Sequence, residues 1–241
     1  MSIKEFSSGF DTLLNSHAVA AGFGKADSPA TIELDEYEKS LFLTNAQEEI
    51  ALSLYNGRNP SLLSFEETEE LRRYLSNLIR EAELKPLSSS SGKPIGIDSK
   101  SKFFTLPEDL WFITYESVLL EEGKCENHTT MDVVPVRQDE YHKIKKNPFR
   151  GANDRRALRL DLSEGNVEIV CKYPISEYYI RYLKQLKPII LTQLDDDTEL
   201  RGKKTPMTSE LPESLHLRIL NRAVEMALQS RGYTRNNNNR E

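Results

Sequence analysis

The sequence predicts an α+β protein, with a helical hairpin and a C-terminal helix packed with a mainly antiparallel, β-rich subdomain. Three observations lead there. Apolar residues recur at helical spacing over 35–56 and 64–84, they alternate with polar ones through much of 103–192, and helical spacing returns over 212–231. The parts implied are an N-terminal arm (1–33), the hairpin (34–86), a flexible linker (87–102), a β-rich subdomain with a short basic helix (103–206), the C-terminal helix (207–232) and a disordered tail (233–241).

The arm is expected to be loosely held. Phe6, Phe10, Leu13 and Leu14 line one side of a short helix ending near Asn15, and the Ala-, Gly- and Ser-rich run after it reads as linker. The hairpin's first helix has Asp35 as N-cap, acids in its first turn and Gly57 where a C′ glycine belongs. Tyr37, Leu41, Ile50, Leu54 and Tyr55 supply its apolar side. Its second helix opens with the capping box Ser64-Phe65-Glu66-Glu67, and Leu71, Leu75, Leu78, Ile79 and Ala82 follow at helical spacing. The linker, PLSSSSGKPIGIDSKSK, is dense in turn formers, and its Ser-Gly-Lys lacks the spacing of a phosphate-binding loop.

Beyond Phe103, β-branched and aromatic residues predict strands at about 110–121, 126–137, 156–162, 167–173 and 178–191, with Pro135 marking an edge or bulge. Leu158 and Leu160 alternate with Arg159 and Asp161, and Val167, Ile169 and Cys171 with Glu168 and Lys172. That spacing predicts an antiparallel meander with one polar face. A short polar helix over 139–146 precedes it, stopped by Asn147-Pro148. The last helix runs from near Pro212, a proline suited to N1, to Arg231, with Gly232 closing it, and buries Leu217, Leu220, Val224, Ala227 and Leu228.

Charge singles out one stretch. The whole chain carries a net −6, yet between His142 and Arg159 seven cations (Lys143, Lys145, Lys146, Arg150, Arg155, Arg156, Arg159) face one acid, Asp154. Such a patch on an acidic protein points to a negative partner, a neighbouring protein surface or nucleic acid. Residues 201–241 are also net basic, and a subunit acidic at one end and basic at the other can stack head-to-tail. A second candidate surface lies at the C-terminus: Arg218, Arg222, Arg231, Tyr233 and Arg235. The composition is polar, with a mean hydropathy of −0.56, which suits a subunit partly covered by neighbours.

Catalytic chemistry finds no support. His17, His128, His142 and His216 are scattered, and none stands in a nucleophile, zinc-protease or nucleotide-binding signature. Cys125 and Cys171 have no metal-ligand spacing, and Cys171 reads as a buried inert thiol. Asp195-Asp196-Asp197 reads as a solvated hairpin tip, because successive side chains on an extended strand point opposite ways. Neither cofactor nor metal is expected. No apolar run long enough to span a bilayer and no secretory h-region occur, so no membrane partner is expected either and the chain should fold in a reducing cytoplasm.

Five blocks carry a family resemblance: LDEYEKSLFLTNAQEEIALSLYNG, FTLPEDLWFITYESV, PVRQDEYHKIKKNPFRGANDRRALRLD, YYIRYLKQLKPIIL and ELPESLHLRILNRAVEMALQSR. In this order and spacing, from about Leu34 to Arg231, they resemble the head–tail adaptor or neck ring proteins of short-tailed, crAss-like bacteriophages. The resemblance implies a non-enzymatic virion protein, present in the host cytoplasm during assembly. It also implies a homo-oligomeric, dodecameric ring beneath the portal protein, which extends the DNA channel and meets the next tail ring. The alternative is a phage DNA-binding accessory of packaging or replication.

Overall fold

Five helices and seven strands occupy the residues described in this computed structural model: 1–20, 32–58, 62–87, 96–98, 101–121, 130–195 and 197–231. The class is α+β, as expected. The chain divides into two compact units, Met1–Asn77 with Leu186–Glu241, and Leu78–Gln185. The tail 233–241, most of the linker, Cys125 and His128 lie outside the described residues.

The first unit is helical. α1 (Ile3–Ala20) corrects the expectation of a loose arm, because Phe6, Phe10 and Leu14 are almost completely buried. Their i, i+4 spacing puts them on one stripe, and each contributes about 1.5–3 kcal/mol by burial. α1 packs against α5 (Glu213–Ser230), and a Cβ at Gly9 would approach Leu220 Cδ2 to 2.9 Å. α2 (Glu36–Tyr55) matches the sequence signals. Asp35 accepts from Glu38 N at 2.6 Å, Glu38 returns to Asp35 N at 3.2 Å, and Gly57 takes a positive φ of 71°. Leu41, expected on the apolar side, is exposed.

α2 buries polar residues because it serves a strand-like segment. Leu191 N–H donates to Ser40 Oγ (3.0 Å), Ile189 N–H to Thr44 Oγ1 (3.0 Å), and Gln47 Nε2 to Lys187 O (2.9 Å). Three side chains along one helix face thus satisfy a backbone that would otherwise need a sheet neighbour. This corrects the strand expected over 178–191. Its sheet part is β7 (Ile175–Lys184), and the remainder lies along α2.

The second hairpin helix is also corrected. α3 spans only Glu69–Leu75 and is capped by Thr68, whose Oγ1 accepts from Leu71 N at 3.2 Å. The Ser64–Glu67 pair forms, but it closes a turn ahead of the helix. After a single 3₁₀ turn the chain enters β1 (Ile79–Leu84). The sequence IREAEL fits both periods, and pairing of Ala82 with Ile180 and Leu84 with Tyr178 decides for strand.

The other strands are β2 (Ser101–Thr105), β3 (Leu110–Leu120), β4 (Thr130–Pro135), β5 (Arg156–Asp161) and β6 (Asn166–Val170). The order is β1-β7-β3-β4-β5-β6-β2, with every neighbouring pair antiparallel except β4–β5, which is parallel. The expected meander is therefore wrong in two ways: β7 lies next to β3 and β1 instead of β6, and β4 runs into β5 through a crossover. That crossover contains α4 (Tyr141–Lys145), since parallel neighbours need a connection of about a dozen residues or more. Leu87 N–H donates to Phe103 O at 2.8 Å, bringing the chain after β1 beside the far edge strand β2, so the sheet curls. One face encloses Phe104, Val118, Ile169, Tyr178 and Ile180. On the other, Tyr141 and Ile144 of α4 cover Leu158, Leu160 and Val170. Both faces of β5 and β6 are thus apolar, contrary to the single polar face expected.

Candidate functional site

The basic stretch divides into an interior part and a surface part. Arg159, one of the seven expected patch cations, is in the interior. It is 9% exposed, its Nη1 donates to Glu116 Oε2 at 2.8 Å, and its Nε lies 2.9 Å from Asp161 Oδ1. Tyr178 OH donates to the same Glu116 oxygen at 2.6 Å. Burial raises the Glu116 carboxyl above its usual range, although Arg159 opposes the shift. Burial also raises the Tyr178 phenol. Strand parity explains the placement: Arg159 shares the inner face with Ala157, whereas Leu158 and Leu160 point toward α4.

The surface part is built on α4 and the loop after it. Asn147 Oδ1 accepts from Phe149 N (2.9 Å) and Arg150 N (3.2 Å), an Asx turn. Gly151 N–H donates to Asn147 O at 2.8 Å, and a Cβ at Gly151 would come within 2.9 Å of that oxygen, so the turn needs glycine there. Arg156 Nη1 donates to Phe149 O at 3.1 Å. The result is a loop that holds Phe149 out, 84% exposed. The same helix and loop carry Lys143, Lys146, Arg150 and Arg155, all exposed and without an ionic partner among the described residues. Lys145 is engaged by Asp98 (2.5 Å), which also accepts from Tyr141 OH (3.1 Å). Asp154, the single acid of the stretch, pairs with Lys172 and accepts from Tyr173 OH at 2.8 Å.

The C-terminal candidates do not form one group. Arg218 is exposed, beside an open cleft of about 520 Å³ between α2 and α5. Arg222 is held by Glu49 (2.8 Å) and Glu225 (3.1 Å), and Arg231 lies 3.8 Å from Glu38. Tyr233 and Arg235 lie outside the described residues. Leu217, expected in the buried stripe, is 60% exposed, because the stripe runs through Leu215, Ile219, Ala223 and Ala227. Pro212 stands at the N-cap, one position earlier than expected. His216 is buried, with Nε2 2.9 Å from Leu211 O and Nδ1 2.8 Å from the Met1 amine. Burial, and the nearby ammonium, lower its pKa.

One surface escaped sequence reading. On the sheet face that α4 leaves open, Tyr115 (47% exposed) and Leu119 (38%) lie beside Tyr179, over a cleft of about 470 Å³ that Glu83 and Glu177 also line. The Tyr115 and Tyr179 rings meet edge-on at 6.2 Å. The register places Glu83 beside Tyr179 and Glu177 beside Leu119. The signal was the period-two spacing of Tyr115, Ser117 and Leu119, but only the strand order brings β1, β7 and β3 together.

Among the described residues no His, Cys, Asp or Glu group is arranged to hold a metal ion, and no helix is long and apolar enough to cross a membrane. The site offers contact surfaces: cations, an exposed ring and an open sheet face. A family profile described as phage tail ring protein 3/4 matches residues 1–239. Ring protein 3 of Bacteroides phage crAss001 is 44% identical over 234 residues, covering 96% of each protein. Ring protein 4/5 of the same phage is 30% identical over 236 residues, covering 94% of this chain and 92% of that one. The chain therefore belongs to the phage tail ring protein 3/4 family, structural proteins of the crAss-like phage tail and hence of the virion.

Proposed function

We propose that the chain is a non-enzymatic adaptor subunit that forms a dodecameric ring under the portal, extends the DNA channel and bridges to the next tail ring. The observation that carries this reading is the set of exposed cations Lys143, Lys146, Arg150 and Arg155 on the α4 segment that also exposes Phe149, without ionic partners among the described residues, on a chain of net charge −6. Charge complementarity of this kind fixes register and speeds encounter between partners. Lys145 and Arg156 brace the same segment through their contacts to Asp98 and Phe149 O, whereas Arg159 serves the fold through Glu116. The outer ridge of α5, with Leu217 and Arg218, is assigned to the portal, together with the following tail that carries Tyr233 and Arg235. Arg222 and Arg231 anchor that ridge to acids of α2.

Native mass spectrometry of the purified chain, alone and with portal, tests the reading. A closed ring, or a monomer that assembles only on portal, is expected. A monomer indifferent to portal that binds DNA in a salt-sensitive way would instead identify a packaging or replication accessory. Deleting Tyr233–Glu241 should weaken portal binding, and unchanged binding would remove the tail from the interface.

A further inference from the structure

The basic loop and the open sheet face belong to the same unit, Leu78–Gln185, and are opposite in charge. The loop offers an aromatic ring, 84% exposed, held by the Asn147 turn and by Arg156, in a stretch that also carries four exposed cations. The sheet offers an apolar floor of Tyr115, Leu119 and Tyr179 with Glu83 and Glu177 on its rim. Neither glutamate has an ionic partner among the described residues. Arg181, the one cation lining the cleft among the described residues, lies over the Tyr179 ring at 5.8 Å and is paired with Glu81 at 3.0 Å. The pairing register aligns Ser117, Asp132 and Arg156 in one row across the sheet. The open floor and the α4-covered Leu158 and Leu160 therefore share one side of the sheet, the covered half bearing the loop and the other half having no helix over it among the described residues.

We propose that the basic loop of one copy docks, Phe149 foremost, on the open sheet face of the next copy, over Tyr115, Leu119 and Tyr179 and between Glu83 and Glu177. The inference rests on the ring reading above and names the contact that would build the ring. Where the loop of each copy and its face engage different neighbours the contact is heterologous: it leaves a free loop at one end of any chain of copies and a free face at the other, and closes into a ring when the rotation between copies allows. A self-matching contact would stop at a dimer. An exposed aromatic on a stiff turn is suited to this, since little conformational freedom is lost when it docks. Nucleic acid would satisfy the cations but would leave the acidic, apolar sheet face without a role.

The test uses the full chain under the conditions in which the wild type forms its ring, with portal if portal is required. Phe149→Asp breaks the loop, and Glu83→Lys with Glu177→Lys breaks the face. Each variant is expected to melt like the wild type and to lose every species heavier than the 27.6 kDa monomer. Mixed one to one, they should form a species of twice that mass and nothing larger, because one intact loop meets one intact face. Adding Lys146→Glu and Arg150→Glu to the face variant should restore assembly through the exchanged charges. Rings from both single-surface variants would overturn this contact while leaving the ring reading in place. A wild-type chain that stays monomeric with and without portal would overturn both.

Discussion

Arg155 and Arg159 stand four residues apart in one basic run, yet they belong to different structural problems. Arg155 lies at the solvent edge of a loop, with no ionic partner among the described residues. Arg159 is 9% exposed inside the curled sheet, bound to Glu116 and near Asp161. Charge density along a sequence therefore does not tell which cations reach a partner; strand parity does. One set of cations is part of the fold and the other is available for assembly. Substitutions should separate them, stability responding to the first and assembly to the second.

The largest effect is expected at the interior pair. Arg159→Ala leaves the Glu116 carboxylate buried without its cation and should destabilise the chain by about 3–5 kcal/mol, read as a shifted urea midpoint. Replacing both partners, Arg159→Met with Glu116→Leu, should recover most of that loss. A single variant as stable as wild type would break the comparison. Glu168 comes next. It is 3% exposed and accepts from Ile97 N at 2.7 Å and from Ser101 Oγ, so Glu168→Ala removes two hydrogen bonds to a charged acceptor and should cost about 1–3 kcal/mol in the same assay.

A smaller interior effect is pH-dependent. Burial holds the His216 pKa below 6.5, so the unfolded chain binds this proton more readily than the folded one. The stabilisation is complete above about pH 6.5 and is lost as pH falls through the folded pKa. Thermal melts from pH 7.5 to 5 should fall more steeply for wild type than for His216→Gln, and parallel curves would remove His216 from the account. The smallest effect on stability is expected on the surface. Lys143→Ala and Arg155→Ala should stay within about 0.5 kcal/mol of wild type while weakening assembly.

The same contrast explains what was legible in the sequence. α2 was readable because Asp35, Glu38 and Gly57 mark its ends by local hydrogen bonding and backbone conformation. Cys171 was readable as buried from strand alternation. β1 was not, because Ile79, Ala82 and Leu84 fit a helix as well as a strand until β7 is beside them. The parallel β4–β5 pair was hidden because its crossover helix, α4, is five residues long and polar outside Tyr141 and Ile144. The arm became α1 because α5 supplies the surface that Phe6 and Phe10 need. For the site, the position of the basic loop was legible from charge alone. Its membership was not, since Arg159 left it by parity and Lys145 by pairing with Asp98. The acidic, aromatic sheet face needed strands far apart in sequence to be brought together.

The separation of fold cations from assembly cations is tested most directly by one variant measured two ways. In Lys143→Glu, Lys146→Glu, Arg150→Glu, Arg155→Glu, melting should match wild type within about 1 kcal/mol, as expected for exposed sites, while native mass spectrometry with portal shows no ring. A ring of wild-type mass from this variant would contradict the account, and so would a chain that unfolds.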